Sequence, residues 1–354
     1  MSLIGPDFAG LGPHGERAMP ADLVTLTRED TAIVRAGRHE VAVVLHTTTS
    51  DWSRQQLAGI ATALGSNGAA IVEVVDCGYD SDRQNRELRR LAETGVHAVI
   101  SIPIGNAVVA QAHRAVAHAG KALILLDNAP TGLLPGTDYA GVVSCDNFAL
   151  GAIAAELLSP YLPEEGVAGI LTYGVDFFAT QQREIAFRKW ISQNRPDVTL
   201  VRAKFHTIEE TGPAFDRLLA ENEDLDGLFV AWDVPAIKTV KAVRARGRLL
   251  PIATVDLGQA VAQDLAAGGL IRGVATQRPY EQGVAAGNAA LLALTGRQLP
   301  PWIALPGFAV TKANVIEAFQ VVWHMPAPPA LIDSRWMIRP RHLRPAAGGG
   351  RDPS

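Results

Sequence analysis

From residue 39 onward, short β-branched apolar runs alternate with longer amphipathic stretches, the pattern of strands and crossover helices in a parallel sheet. In the first half this predicts strands at 39–47, 69–76, 97–103, 122–127 and 141–144, with helices at 52–66, 81–94 and near 106–119. The rhythm restarts with helices at 147–161, 179–194, 208–221, 234–246 and 258–267. Between them lie strands at 167–173, 198–205, 226–232, 251–255 and 271–277. Each half therefore reads as its own open, doubly wound α/β sheet. In such sheets ligands collect beyond the carboxyl ends of the strands, so the loops beginning at His46, Asp76, Asp127, Asp233 and Asp256 matter most. Residues 1–38 lack this periodicity and read as an N-terminal extension. Residues 331–354, arginine-rich with a glycine stretch near the end, read as a solvated C-terminal tail.

Length agrees with two units: 354 residues at roughly 150 per domain. With 32 Lys and Arg against 36 Asp and Glu, the net charge of −4 gives no positive field for nucleic acid or anionic lipid. Two cysteines, Cys77 and Cys145, are too few for a disulfide framework or a four-cysteine zinc site, and their positions predict free thiols. No stretch reaches the ~18 uninterrupted apolar residues of a membrane helix. The N-terminus carries no signal-peptide core.

Catalytic signatures are missing. Gly10, Gly12 and Gly15 spell GxGxxG but follow no credible strand, and neither GxxxxGK[ST], HExxH, GxSxG nor CxxC occurs. His113 and His118, five apart on a helix, fall on different faces and read as surface residues. No catalytic group, metal or cofactor is expected. A recurring arrangement does stand out. Asp127, Asp233 and Asp256 follow the runs ALILL, FVAW and IATV, in both halves. An Asp after a strand is often only a cap or turn residue. Convergent carboxylates, however, each accept hydroxyls through charge-assisted hydrogen bonds, while aromatic rings offer a flat apolar face. Trp52 and Trp232 lie in two such loops.

Several motifs in order then resemble the periplasmic sugar-binding proteins of the ribose-binding class, solute receptors for ABC importers whose type I fold is shared with lac-repressor effector domains. They are SDWS at 50–53, LDN at 126–128, the pair Asp146–Asn147, QQREIAF at 181–187, VAWD at 230–233, TVD ending at Asp256 and ATQ ending at Gln277. The likeness covers residues 39 to about 320. It implies two Rossmann-like lobes joined by three crossings, near 144–147, 277–279 and 306–308. The N-terminal lobe is then 39–144 plus 278–306 and the C-terminal lobe 145–277 plus 307–330.

Carried over by position, the resemblance makes Trp52 the ring that stacks on a sugar and Ser50 a nearby polar contact. Asp127 is the carboxylate of the first lobe, Arg183 the guanidinium of the other, and Asp256 and Gln277 the carboxylate and amide on the closing side, with Asp233 beside them. Asn128 stands where ribose binders carry Arg, and Trp232 where they carry Asn. The pocket thereby has more stacking area and less positive charge, and suits a pyranose, polyol or deoxy sugar. His46 and Phe177 or Phe178 are further candidates to line the cleft. The implied protein is a monomeric, non-enzymatic, periplasmic receptor that closes on a sugar or sugar alcohol and delivers it to an ABC permease. Two other readings stay open: a sensor subunit presenting a small signal molecule to a membrane receptor, and a sugar-responsive effector domain of a lac-repressor-type regulator. Residues 1–38 show no helix-turn-helix to support the latter.

Overall fold

The computed structural model describes residues 8–335. Its strands are β1 (Met19–Pro20), β2 (Glu40–Leu45), β3 (Ala70–Asp76), β4 (Ala98–Ser101), β5 (Ala122–Leu126), β6 (Gly141–Cys145), β7 (Val167–Tyr173), β8 (Thr199–Phe205), β9 (Leu225–Val230), β10 (Ile252–Val255), β11 (Ile271–Thr276), β12 (Trp302–Leu305) and β13 (Phe308–Val310). Its α-helices are α1 (Arg28–Gly37), α2 (Asp51–Ser66), α3 (Ser81–Ala92), α4 (Ala107–His118), α5 (Asn147–Leu158), α6 (Phe178–Asn194), α7 (Thr211–Glu221), α8 (Asp233–Ala245), α9 (Gln259–Ala266), α10 (Pro279–Leu294), α11 (Val315–Trp323) and α12 (Pro329–Arg335).

Two sheets result. The first runs β1-β12-β6-β5-β4-β2-β3 and the second β13-β11-β10-β9-β7-β8. Every pairing is parallel except β11 with β13. Central strands such as β2 and β9 are apolar almost throughout because helices cover both faces, and each sheet has buried apolar clusters on its two sides. In both sheets the order reverses beside the first strand of the lobe, between β2 and β4 and between β7 and β9. A crevice for a ligand opens at such a switch point.

The chain passes between the sheets three times: from β6 into α5, from β11 into α10, and from β12 into β13. The first passage is tied down by Asp146, which caps α5 through the Ala149 N–H at 2.9 Å and also accepts the Ala9 N–H at 2.7 Å.

One expectation, for His113, needs correction, and two features go beyond the sequence reading. Residues 8–38 do not stand apart: β1 adds to the edge of the first sheet beside β12, and α1 is closed by a Thr27–Asp30 capping box. Asp30 also accepts a 2.7 Å hydrogen bond from Arg297, which pins this highly charged helix to the lobe. His113 is not a surface residue. It is fully buried between Ser101 Oγ (3.0 Å) and the Val109 carbonyl (2.8 Å), and burial pushes its pKa down to about 4. Helix α10 follows β11 directly and packs closely on α2. It lies outside the strands and helices read from the sequence, and most of its residues are buried. The tail read at 331–354 lies, beyond residue 335, outside the described residues. Cys77 and Cys145 are buried free thiols.

Candidate functional site

A cleft between the carboxyl ends of the two sheets encloses about 740 Å³, counting its open mouth. The first lobe contributes His46, Ser50, Trp52, Tyr79 and Asp127, and the second Tyr173, Phe177, Arg183, Trp232, Asp233, Asp256 and Gln277. Ten of the residues singled out from sequence thus meet at one place, although they are spread over more than two hundred positions. Two do not line it. Asn128 turns away and donates to the Gly105 carbonyl at 2.7 Å, and Phe178 opens α6 outside the cavity wall.

The two lobes present their carboxylates in the same way. Asp127 follows β5 and Asp256 follows β10, and both have left-handed backbone, φ 54° and 73°. Asp is among the few residues that tolerate this region, and the sharp turn aims the side chain off the sheet end into the cleft. The N–H of each is held by the neighbouring strand, Asp127 by Val143 O at 3.0 Å and Asp256 by Ala275 O at 3.1 Å. One oxygen of each accepts a glutamine amide: Gln282 Nε2 at 2.9 Å on Asp127, Gln277 Nε2 at 2.7 Å on Asp256. The Asp256 carboxylate also faces Arg183, and that of Asp127 meets the Cys145 N–H.

Arg183 is buried and fixed before any solute arrives. Its Nε donates to Asn147 Oδ1 at 2.8 Å and its Nη1 to the Ala231 carbonyl at 2.9 Å, with Asp256 Oδ2 3.7 Å away. Asn147 opens α5 at the first interlobe passage, so the pair Asp146–Asn147 anchors both the hinge and the guanidinium. Asp233 sits in the first turn of α8, where Gly258 lets its carboxylate lie against the backbone; a Cβ there would collide with Asp233 Oδ2.

Burial dominates the electrostatics. It raises the pKa of Asp127 to about 6 despite Arg183 and Gln282, which act in the opposite direction. It raises Asp256 as well, against the same guanidinium. Asp233 is also held above the carboxylate range, by burial first and then by the charges of Asp256 and Asp51. His46 goes the other way, to about 4, so its ring is neutral.

Aromatic rings complete the walls. His46 meets Trp52 and Tyr79 edge-on, with centroids 5.6 and 5.1 Å apart, and Trp232 meets Tyr173 at 5.0 Å. Among the buried polar atoms without a protein partner are Trp52 Nε1, His46 Nδ1 and Gln277 Oε1, all on cavity-lining residues. Burying such groups unpaired is costly, and a ligand's hydroxyls would satisfy them. Ser50 lines the cleft while its hydroxyl caps α2, accepting the Ser53 N–H at 3.1 Å.

The sequence reading missed Tyr79, Tyr173 and Gln282. Tyr79 lies in the loop after Asp76 that the strand-end rule marks, and Tyr173 is the last residue of β7, so position carries a signal for both. Gln282 lies inside α10 and acts only by holding Asp127. Among the described residues no group of three or more His, Cys, Asp or Glu side chains is arranged to hold a metal ion, and no helix is long and apolar enough to cross a membrane.

Known structures share this architecture. An ABC transporter solute-binding protein from Agrobacterium vitis, bound with α-D-tagatopyranose, superimposes with a TM-score of 0.74 at 22% identity, covering 82% of this chain and 100% of that one. A second from the same organism, with bound D-fucose, gives 0.73 at 21% identity, covering 80% and 99%. A carbohydrate transporter solute-binding protein from Agrobacterium radiobacter, in complex with D-arabinose, gives 0.72 at 20% identity, covering 79% and 97%. No curated protein matches the chain. The model of the periplasmic binding protein domain matches residues 41–298, most of the described chain, and the chain accordingly belongs to the periplasmic binding protein family.

Proposed function

We propose that this protein is a solute receptor that captures a monosaccharide or sugar alcohol in the interlobe cleft, closes on it and delivers it to an ABC-type membrane permease. The observation that carries the reading is the convergence of buried carboxylates from both lobes, Asp127 from one and Asp233 and Asp256 from the other, around a single prefixed guanidinium and between aromatic walls. Carboxylates bind vicinal hydroxyls, Arg183 reaches a ring or anomeric oxygen, and the indoles of Trp52 and Trp232 cover C–H faces. Because the two lobes each supply part of the contact set, the solute is held fully only when the cleft is shut, and binding favours the closed form. The receptor works without chemistry on its ligand, as a monomer in the periplasm.

A thermal-shift screen of the full chain against pentoses, hexoses, deoxy sugars and sugar alcohols tests this. A ligand that binds only the folded state raises the melting temperature, by about 2.7 kcal/mol of added stability at a hundred times its Kd. One stereochemical series is expected to stand out. No rise across the whole panel overturns the reading and favours a non-carbohydrate signal molecule.

A further inference from the structure

The charge on the cavity wall is one-sided. Three carboxylates, Asp127, Asp233 and Asp256, face it, and Arg183 is the lone Lys or Arg among its lining residues. That guanidinium lies 3.7 Å from Asp256, and its charge also reaches Asp127. Both of those carboxylates are further held by a glutamine amide.

Asp233 is different. It is 8% exposed, and among the described residues no side chain donates a hydrogen bond to it; the Val234 N–H is beside it. Its charged neighbours are Asp256 and Asp51, of its own sign, and Arg183, a guanidinium that also serves Asp256 and Asp127. A paired guanidinium or ammonium is the ordinary remedy for a buried carboxylate, and here one guanidinium, Arg183, is shared among three buried carboxylates, an imbalance that a cationic solute would relieve.

The rest of the wall agrees. His46, Trp52, Tyr79, Tyr173, Phe177 and Trp232 present aromatic rings to the same space, and His46 is neutral there. Aromatic faces attract cations through their quadrupole, most strongly where water is excluded. The unpartnered amide oxygen of Gln277 adds another acceptor on the same lining. Carboxylates and π-faces together complement a solute carrying positive charge.

We propose that the solute is a carbohydrate or polyol bearing a protonated primary amine, with its ammonium paired to Asp233 beside the aromatic wall and its hydroxyls on Asp127, Asp256 and Arg183. This rests on the carbohydrate reading above and narrows it.

Titration calorimetry of the full chain at pH 7 against matched pairs tests it: D-galactose with D-galactosamine, D-glucose with D-glucosamine, and sorbitol with 1-amino-1-deoxysorbitol. In the pair whose stereochemistry fits, the amine is expected to bind at least tenfold more tightly than its neutral parent. Asp233→Asn is expected to abolish most of that advantage, with Asp233→Ser as the substitute should the first variant not fold. Equal or tighter binding of the neutral parent overturns the amine assignment and leaves the carbohydrate reading standing. An amine advantage unchanged in the Asp233 variants overturns the role of that carboxylate. Failure of every sugar, amine and polyol to bind overturns both readings together.

Discussion

Asp127 and Asp256 occupy equivalent places in the two lobes, each a left-handed residue just past a central strand with one oxygen held by a glutamine, and both line the cleft. Such backbone costs about 1–3 kcal/mol and persists where the surroundings over-determine it. Here it aims a carboxylate. The raised pKa of Asp127, about 6 against 3.8 for an ordinary aspartate, has a definite sign. Between these values the folded apo protein binds more protons than the unfolded chain, so this group's contribution to stability falls as pH rises through that window. A ligand whose hydroxyls donate to the ionised carboxylate draws the pKa back down, so binding strengthens over the same range. Sugar affinity is expected to rise about tenfold between pH 5 and pH 7, measurable by calorimetry at fixed ionic strength; a flat profile would place Asp127 outside the contact set. At this scale much of the site was legible, because an Asp or Trp directly after an apolar run marks a strand's carboxyl end. What was not legible is the direction in which a side chain turns. Asn128 adjoins Asp127 yet bonds to Gly105, and Gln282 supports the site from within a helix whose composition says only that it is buried.

Helix pairs hold these residues in place through close backbone approach. Helix α5 packs on α6 with Gly151 against the backbone of Arg183, and a Cβ at Gly151 would collide with the Arg183 carbonyl. Likewise, Gly283 of α10 lies against the Gln56 carbonyl of α2, and Gly59 of α2 against the Tyr280 carbonyl. Overpacking of this kind costs about 1–3 kcal/mol, since one helix must move. Gly151→Ala is therefore expected to lower stability by that amount in denaturant melts and also to weaken sugar binding, because the helix that moves carries Arg183. Full binding by a folded Gly151→Ala protein would mean that α6 tolerates displacement without loss of function. The alternating strands and helices of residues 39–277 were readable from the sequence pattern, with ends off by up to three residues, as for α5 at Asn147–Leu158 and α7 at Thr211–Glu221. Elements beyond them were not: α10 was not marked, and β12 and β13 are only four and three residues long.

Across the molecule, three passages of chain join two sheets whose strand orders reverse at corresponding places, which puts the two switch-point crevices face to face. Hydrogen bonds also cross the cleft outside these passages. Asp51 at the start of α2 accepts the Gln259 N–H of α9 at 2.9 Å, and Asn106 donates to Asp176 at 2.9 Å. These contacts belong to a closed arrangement, and a hinge of three strands lets the lobes separate from it. Small-angle scattering is expected to show a smaller radius of gyration with saturating sugar than without, and an unchanged radius would argue against closure. The two-lobe plan was legible because the strand–helix grammar restarts after residue 145. That the N-terminal stretch joins the first sheet was not, since β1 is two residues long and its partner β12 lies some 280 positions away.

The central claim is that both lobes grip one solute. Calorimetric titration of the sugar found by thermal shift, on the native chain and on Asp127→Ala and Arg183→Ala variants, tests it most directly. A hydrogen bond to a charged group contributes about 1.5–3 kcal/mol, so each variant, one in either lobe, is expected to remain folded and to lose roughly ten- to a hundredfold in affinity. A folded variant of either lobe that binds as tightly as the native chain would contradict the account.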